Sequence, residues 1–161
     1  GAAACYVHGG IADRLASEGK VDEIGEAVSF IKDQRLPSGI GGHRIETIQA
    51  CVDAGIEPDF WMKTLHPLSY WSAEHPKEHD NMVCYGPEET IAYMESRPQP
   101  WSAFKTLAAG AIPPEEAFRY AFENGADFVC VGMYDFQIVD DTNLLVDILE
   151  TELPRTRRWL A

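Results

Sequence analysis

The chain has 161 residues, of which 45% are hydrophobic, and it carries a formal net charge of -13. The hydrophobic share excludes a disordered chain. The acidic balance excludes a sequence-independent nucleic-acid surface, which needs clustered Lys and Arg. The apolar runs are far shorter than the roughly 20 residues that span a bilayer, so we expect no membrane segment. A local basic pocket for an anionic small molecule remains compatible with this charge.

The four cysteines form no CxxC pair, and three of them lie in apolar strand-like or helix-like runs. We therefore expect buried free thiols, which favour a reducing compartment such as the cytoplasm. The chain begins without Met, and residues 2–7 already look like a strand. We expect that further residues precede Gly1 in the natural protein, where a targeting signal could also lie.

The predicted elements alternate between strands and helices along the chain. Short apolar runs predict strands, and apolar residues at helical spacing, such as Val21, Ile24, Val28 and Ile31, predict helices. Proline at the first turn and acidic residues beside it open two of the helices. The strands are predicted at 2–7, 37–42, 59–65, 101–108 and 127–131, and the helices at 21–34, 45–54, 86–96, 113–124 and 141–151.

This order predicts an α/β fold with five parallel strands joined by right-handed crossovers. An open doubly wound sheet would satisfy the pattern. We favour an incomplete (β/α)8 (TIM) barrel, with residues 1–161 as a single domain that forms its C-terminal portion. The N-terminal part of the same barrel or a partner chain would then close the sheet.

We favour a barrel because of the sequence of the last two strand-helix units. Residues 108–112 read AAGAI, and residues 124–133 read NGADFVCVGM. This pair resembles strands seven and eight of phosphate-binding (β/α)8 barrels. The resemblance implies an anion site formed by Gly110, Ala111, Gly132 and Met133, because glycines after a strand let backbone N–H groups approach an anion. Alternatively, these glycines only shape tight turns.

Three further stretches resemble a group of bacterial TIM-barrel proteins to which no activity is assigned. They read PDFWMKTLH at 58–66, YWSA at 70–73 and YAFENGAD at 120–127. This resemblance implies the fold and says nothing about the chemistry.

In a barrel, the reactive groups lie at the carboxyl ends of the strands. Lys63 stands at such an end, on what would be the sixth strand, as in many class I aldolases. A desolvated lysine near cations has a lowered pKa and can form a Schiff base. Lys105 repeats the Lys-Thr-Leu sequence and could supply that cation or bind an anion. Alternatively, Lys63 pairs with an acidic residue near the barrel mouth.

A second hypothesis brings His8, His43 and His66 together as metal ligands. Each follows one of three consecutive strands, and imidazole suits Zn, Mn or Fe. Alternatively, each histidine is a hydrogen-bonding group or a general acid or base. We therefore count His43 and His66 among the catalytic candidates, with Asp135 after the last strand.

The loop after the third strand is long for a βα connection. Its Trp71, His75 and His79 could cover a substrate, although a solvated surface loop is the commoner structure. The basic tail with Arg155, Arg157 and Trp159 is interpreted as the frayed end of the last helix.

From these residues we expect an enzyme of the aldolase, lyase or isomerase type. Its substrate would be a small polar molecule, phosphorylated or carbohydrate-derived. The alternative is a non-catalytic barrel subunit or fragment that binds a ligand or a partner chain.

Overall fold

The structure is a computed structural model that describes residues 1–74 and 83–160. Strands and helices alternate along the chain, with one extra helix after the first strand. The strands are β1 Cys5–Val7, β2 Ser38–Gly42, β3 Phe60–Thr64, β4 Trp101–Phe104 and β5 Phe128–Cys130. The helices are α1 Gly9–Ser17, α2 Val21–Asp33, α3 Ile45–Asp53, α4 Pro87–Glu95, α5 Pro114–Glu123 and α6 Ile138–Leu149, with short 3-10 helices at Ala108–Gly110 and Asp135–Gln137.

The five strands form one sheet in which every neighbouring pair is parallel. The spatial order is the chain order, β1-β2-β3-β4-β5. Each connection therefore moves the chain one strand further in the same direction, whereas a doubly wound sheet reverses its order at a switch point. The prediction of an α/β fold with five parallel strands is confirmed.

One face of the sheet packs against the helices. Val7, Ile40, Trp61, Trp101 and Ala103 point to this face and join the main buried core. They pack there with helix residues such as Ala12, Leu15, Ile24, Val28, Ile48, Cys51, Met94 and Ala121. Because the side chains of a strand alternate between faces, the positions between them point to the opposite face.

That opposite face is aromatic and only partly covered. It carries Tyr6, Phe60, Met62, Phe104 and Phe128, of which Tyr6 is 42% and Phe128 51% exposed. Among the described residues, none of the five belongs to a buried core. We call it the open face of the sheet.

The chain departs from the predicted elements at three places. Helix α1 was not predicted, because its first two residues are Gly9 and Gly10, and glycine disfavours helix interiors. The His8 side chain starts this helix by accepting a hydrogen bond from the Gly10 N–H. Strand β4 ends four residues earlier than predicted, since Lys105 turns the backbone into the left-handed region. Helix α6 begins at Ile138, three residues earlier.

Two aspartates fix the starts of the strands. Asp59 accepts hydrogen bonds from the Ser38 N–H and hydroxyl, at 2.7 and 2.9 Å. Asp127 accepts one from the Trp101 N–H at 3.0 Å. Each aspartate precedes a strand and binds the first residue of the neighbouring strand. The same aspartate-to-backbone hydrogen bonding therefore occurs twice at the amino-terminal edge of the sheet.

The C-terminal segment 151–160 is not frayed, which corrects the expectation from sequence. Arg157 donates to Asp127 at 2.6 Å and to the Gln99 carbonyl at 2.8 Å. Arg155 donates to the Ala126 carbonyl at 2.9 Å, and its guanidinium lies 3.6 Å from the Trp159 ring centroid. These hydrogen bonds hold the segment against the residues that precede β4 and β5.

Within the described residues, no helix has both the length and the apolar composition needed to cross a membrane.

Candidate functional site

A cleft opens at the carboxyl ends of β4 and β5. Its volume is about 670 Å³, within the range of small-molecule sites. One wall is the segment from Phe104 to Gly110, and the other runs from Cys130 to Gln137. Of the residues predicted to bind an anion, Gly110, Gly132 and Met133 line the cleft, whereas Ala111 does not. Of the two predicted catalytic residues in this region, Lys105 lines the cleft and Asp135 does not.

The wall that follows β4 has a strained backbone. Lys105, Ala108 and Ala109 have φ values of 62°, 45° and 58°, in the left-handed region that residues with a Cβ rarely adopt. Such residues concentrate at ligand-binding and active sites. The Gly110 N–H donates to the Leu107 carbonyl and the Ala111 N–H to the Ala108 carbonyl. These two amides therefore hold the turn together and do not face an anion.

The wall that follows β5 keeps its amides available. Across residues 1–74 and 83–160, the N–H groups of Gly132 and Met133 have no hydrogen-bond acceptor. The Tyr134 N–H is capped by the Gln137 side chain at 3.1 Å. Tyr134 and Phe136 stack, with ring centroids 5.5 Å apart, and both are more than 70% exposed.

Thr106 adds a polar group that sequence reasoning missed. It lines the cleft, is only 2% exposed, and its Oγ1 has no hydrogen-bond partner within the described part of the chain. An unpaired buried hydroxyl is costly, and because this oxygen is closed to solvent, a ligand in the cleft does not reach it in this conformation of the wall. Its sequence signal is only the Lys-Thr pair at a strand end.

The sulfur chemistry of the cleft also differs from the expectation of buried thiols. Cys130 is exposed and lines the cleft, whereas Cys51 and Cys84 are buried and Cys5 is intermediate. Cys130 is paired in register with Phe104, so its side chain points to the open face of the sheet. Burial raises the pKa of Cys51 to about 11.

Lys63 lies away from the cleft, on the helix-facing side of β3 together with Trp61. It is 1% exposed, and its ammonium donates to the carbonyls of His43 and Thr64 at 2.8 and 2.9 Å. Burial lowers its pKa, as the sequence argument expected, while Cys84, Asp13 and Glu46 oppose that shift. A substrate carbonyl cannot reach this nitrogen without opening the helix layer. The placement favours a structural role.

His66 is fully buried, and both of its ring nitrogens are engaged. Nε2 accepts a hydrogen bond from the Cys84 N–H at 3.1 Å, so Nδ1 carries the proton and donates to the Pro67 carbonyl at 3.0 Å. The ring ties the end of β3 to the start of the segment before α4. Neither nitrogen is available to a metal or a substrate.

His8 and His43 do come together, with ring centroids 6.5 Å apart. The Nδ1 of His8 caps α1, and the Nδ1 of His43 lies 2.8 Å from the carboxylate of Asp13. Within 1–74 and 83–160, no three His, Cys, Asp or Glu side chains are grouped so that they could hold a metal ion. The described residues therefore do not assemble the predicted triad of His8, His43 and His66.

Asp13 is the second residue that the sequence did not indicate, because it lies on the unpredicted helix α1.

Trp71, in the loop after β3, is 77% exposed. His75 and His79, which were expected to join it in covering a substrate, lie outside the described residues.

No family model, curated protein or solved structure matches the chain.

Proposed function

We propose that this chain supplies five βα units of a (β/α)8 barrel enzyme that binds a small phosphorylated carbonyl compound at the carboxyl ends of its strands. The cleft at the ends of β4 and β5 is the observation that carries this proposal. The reaction class is that of a lyase, an aldolase or an isomerase, in which the phosphate holds the substrate and the carbonyl reacts.

The sequential strand order supports a barrel, since closure requires each strand to pair with the next. The exposed apolar side chains support it too. Among the described residues, three of them lie in the long loop after β3, and the others lie in the units at the two edges of the sheet: Tyr6, Ile11 and Phe30 at one edge, and Phe128, Tyr134, Phe136, Ile138, Val139, Val146, Leu149 and Trp159 at the other. Further strands that join β5 to β1 would cover both edges and the open face. They would come from another part of the same protein or from a partner chain.

The groups that face the cleft suit a phosphate. Lys105 supplies an exposed cation at one wall, and the Gly132 and Met133 amides supply donors at the other. Backbone amides together with one lysine are a common way to hold an anion on this fold.

Lys63 is not part of this proposal as a Schiff-base lysine, because its ammonium is buried between β3 and the helices. A Zn, Mn or Fe ion is likewise left out, since His66 has both nitrogens engaged. We assign substrate binding to the residues at the carboxyl ends of β4 and β5, which line the cleft.

The test is a titration of the full-length protein with inorganic phosphate, dihydroxyacetone phosphate and dihydroxyacetone, followed by amide NMR. We expect the two phosphates to shift the Gly132 and Met133 resonances, whereas dihydroxyacetone should shift them little. Lys105→Met should weaken phosphate binding about 10- to 100-fold, since a charge-assisted hydrogen bond contributes ~1.5–3 kcal/mol. Lys20→Met is the matched control, because Lys20 is exposed and pairs with Glu18.

Equal affinity in the Lys105 and Lys20 variants would contradict the anion site. Phosphate shifts confined to other parts of the chain would contradict it as well.

The alternative function is a non-catalytic barrel subunit that binds a ligand or a partner chain. The open aromatic face favours it, since a large apolar surface needs a cover. Size-exclusion chromatography with light scattering separates the two. A stable hetero-complex that binds no phosphate compound would favour the alternative.

A further inference from the structure

The Asp13 carboxylate and the His43 ring form a close pair at the carboxyl end of β2. Asp13 Oδ2 lies 2.8 Å from His43 Nδ1, and the two side chains are 13% and 9% exposed. A carboxylate only accepts hydrogen bonds, so Nδ1 must carry the proton and donate it. In the neutral ring, Nε2 then has its lone pair free.

Asp13 is itself held firmly. It accepts hydrogen bonds from the Thr47 hydroxyl at 2.7 Å and from the backbone N–H groups of His43 and Arg44. Burial raises the pKa of Asp13, but the hydrogen bonds from His43, Thr47 and the two amides outweigh burial, and the net pKa is lowered. These hydrogen bonds therefore favour the ionised form of the Asp13 carboxyl.

The His43 ring is fixed from two further sides. Its centroid lies 5.1 Å from that of Phe104, whose residue lines the cleft. On the other side, a Cβ at Gly9 would come within 3.0 Å of His43 Cε1, so glycine gives the ring its space. Within the described residues, Nε2 makes no hydrogen bond. His43 is therefore an oriented base with an unused lone pair, and its ring contacts Phe104 in the wall of the cleft.

We propose that His43 is the general base of this site and that Asp13 is its positioning residue. The inference rests on the proposed function and names the residue that begins the reaction. His43 Nε2 takes a proton from the carbon beside the substrate carbonyl: the C–H bond breaks, an N–H bond forms, and the electron pair stays on the substrate as an enolate. The imidazolium that results is stabilised by the Asp13 carboxylate.

The tautomer of His43 tests the pair directly. Long-range proton–nitrogen NMR of the full-length protein should show Nδ1 protonated and Nε2 unprotonated. Diethyl pyrocarbonate, which acylates unprotonated imidazole nitrogen, should modify His43 at Nε2, as located by peptide mass spectrometry. His66 should remain unmodified, because it is buried and both nitrogens are engaged.

Two variants separate positioning from folding. In Asp13→Asn, the Nε2–H tautomer of His43 should become populated and its acylation rate should fall several-fold. In Thr47→Val, which removes one hydrogen bond to the same carboxylate, both readouts should stay near wild type. A proton on Nε2 in the wild-type protein, or equal tautomer populations in wild type and Asp13→Asn, would overturn the proposal.

Failure here is distinguishable from failure of the anion site. Asp13→Asn should leave the phosphate-induced shifts of Gly132 and Met133 unchanged, since Asp13 does not line the cleft and is not one of the proposed anion-binding groups. A correct tautomer without phosphate binding would remove the proposed substrate class and keep His43 as a base.

Discussion

The carboxylate of Asp127 accepts a 2.6 Å hydrogen bond from Arg157, a residue 30 positions later in the chain. The two side chains are 0% and 5% exposed, and Asp127 also accepts the Trp101 and Leu160 N–H groups at 3.0 Å. One buried carboxylate therefore joins β4, the start of β5 and the C-terminal segment.

Arg157→Met should destabilise the protein by ~1.5–3 kcal/mol, because it removes the 2.6 Å charge-assisted hydrogen bond and leaves the buried carboxylate with only the 3.4 Å ion pair to Arg155. Arg158→Met is the matched control and should change the free energy of unfolding by less than ~0.5 kcal/mol, since Arg158 is exposed. Urea unfolding of both variants gives the comparison. Similar urea midpoints for the two variants would show that the Arg157–Asp127 ion pair does not contribute to stability.

The thiols should differ sharply in reactivity. Cys130 is exposed, whereas burial raises the pKa of Cys51 to about 11. With iodoacetamide at about pH 8, Cys130 should be alkylated first and Cys51 only after unfolding, because the thiolate is the reactive form. Peptide mass spectrometry over time measures both rates, and Cys130→Ser should abolish the fast phase. A fast phase that survives this substitution would place the reactive thiol elsewhere.

The buried ammonium of Lys63 should make stability depend on alkaline pH. Burial lowers its pKa below the ordinary 10.5, so the unfolded state binds more protons between the folded pKa and 10.5. Stability from this group therefore rises with pH across that window. Lys63→Met should lose the rise, while Lys105→Met, in an exposed side chain, should keep it. Urea unfolding at about pH 8 and about pH 10 checks the difference.

Two phenylalanines test which face of the sheet is covered. Phe118 is fully buried against α6, and Phe128 on the open face is 51% exposed. Phe118→Ala should cost ~3–5 kcal/mol, and Phe128→Ala in the 161-residue chain less than ~1 kcal/mol. Binding of the proposed remaining strands would raise the cost of Phe128→Ala. Equal costs without such a partner would mean that the open face is already covered.

Local patterns predicted most of the fold. Apolar runs predicted the five strands, and the prolines at 113 and 114 with the acids that follow predicted the start of α5 to within one residue. Helix α1 was missed because its propensity is poor at Gly9 and Gly10, and tertiary burial of Ala12 and Leu15 compensates for that. Of the predicted site residues, Lys105, Gly110, Gly132 and Met133 line the cleft. Asp13 carried no local signal, and Thr106 carried only that of the Lys-Thr pair at a strand end.

The sequence by itself determined the α/β class, the parallel pairing and the carboxyl edge on which polar residues would gather, because these depend on periodicity and turn chemistry. The tertiary structure alone decided which polar residues face the cleft. Alternation along β3 could place Lys63 on either face, and only packing against the helices put it inside. The pairing of His43 with Asp13 and the burial of His66 were decided in the same way, since their hydrogen-bond partners lie 30 and 18 positions away in the chain.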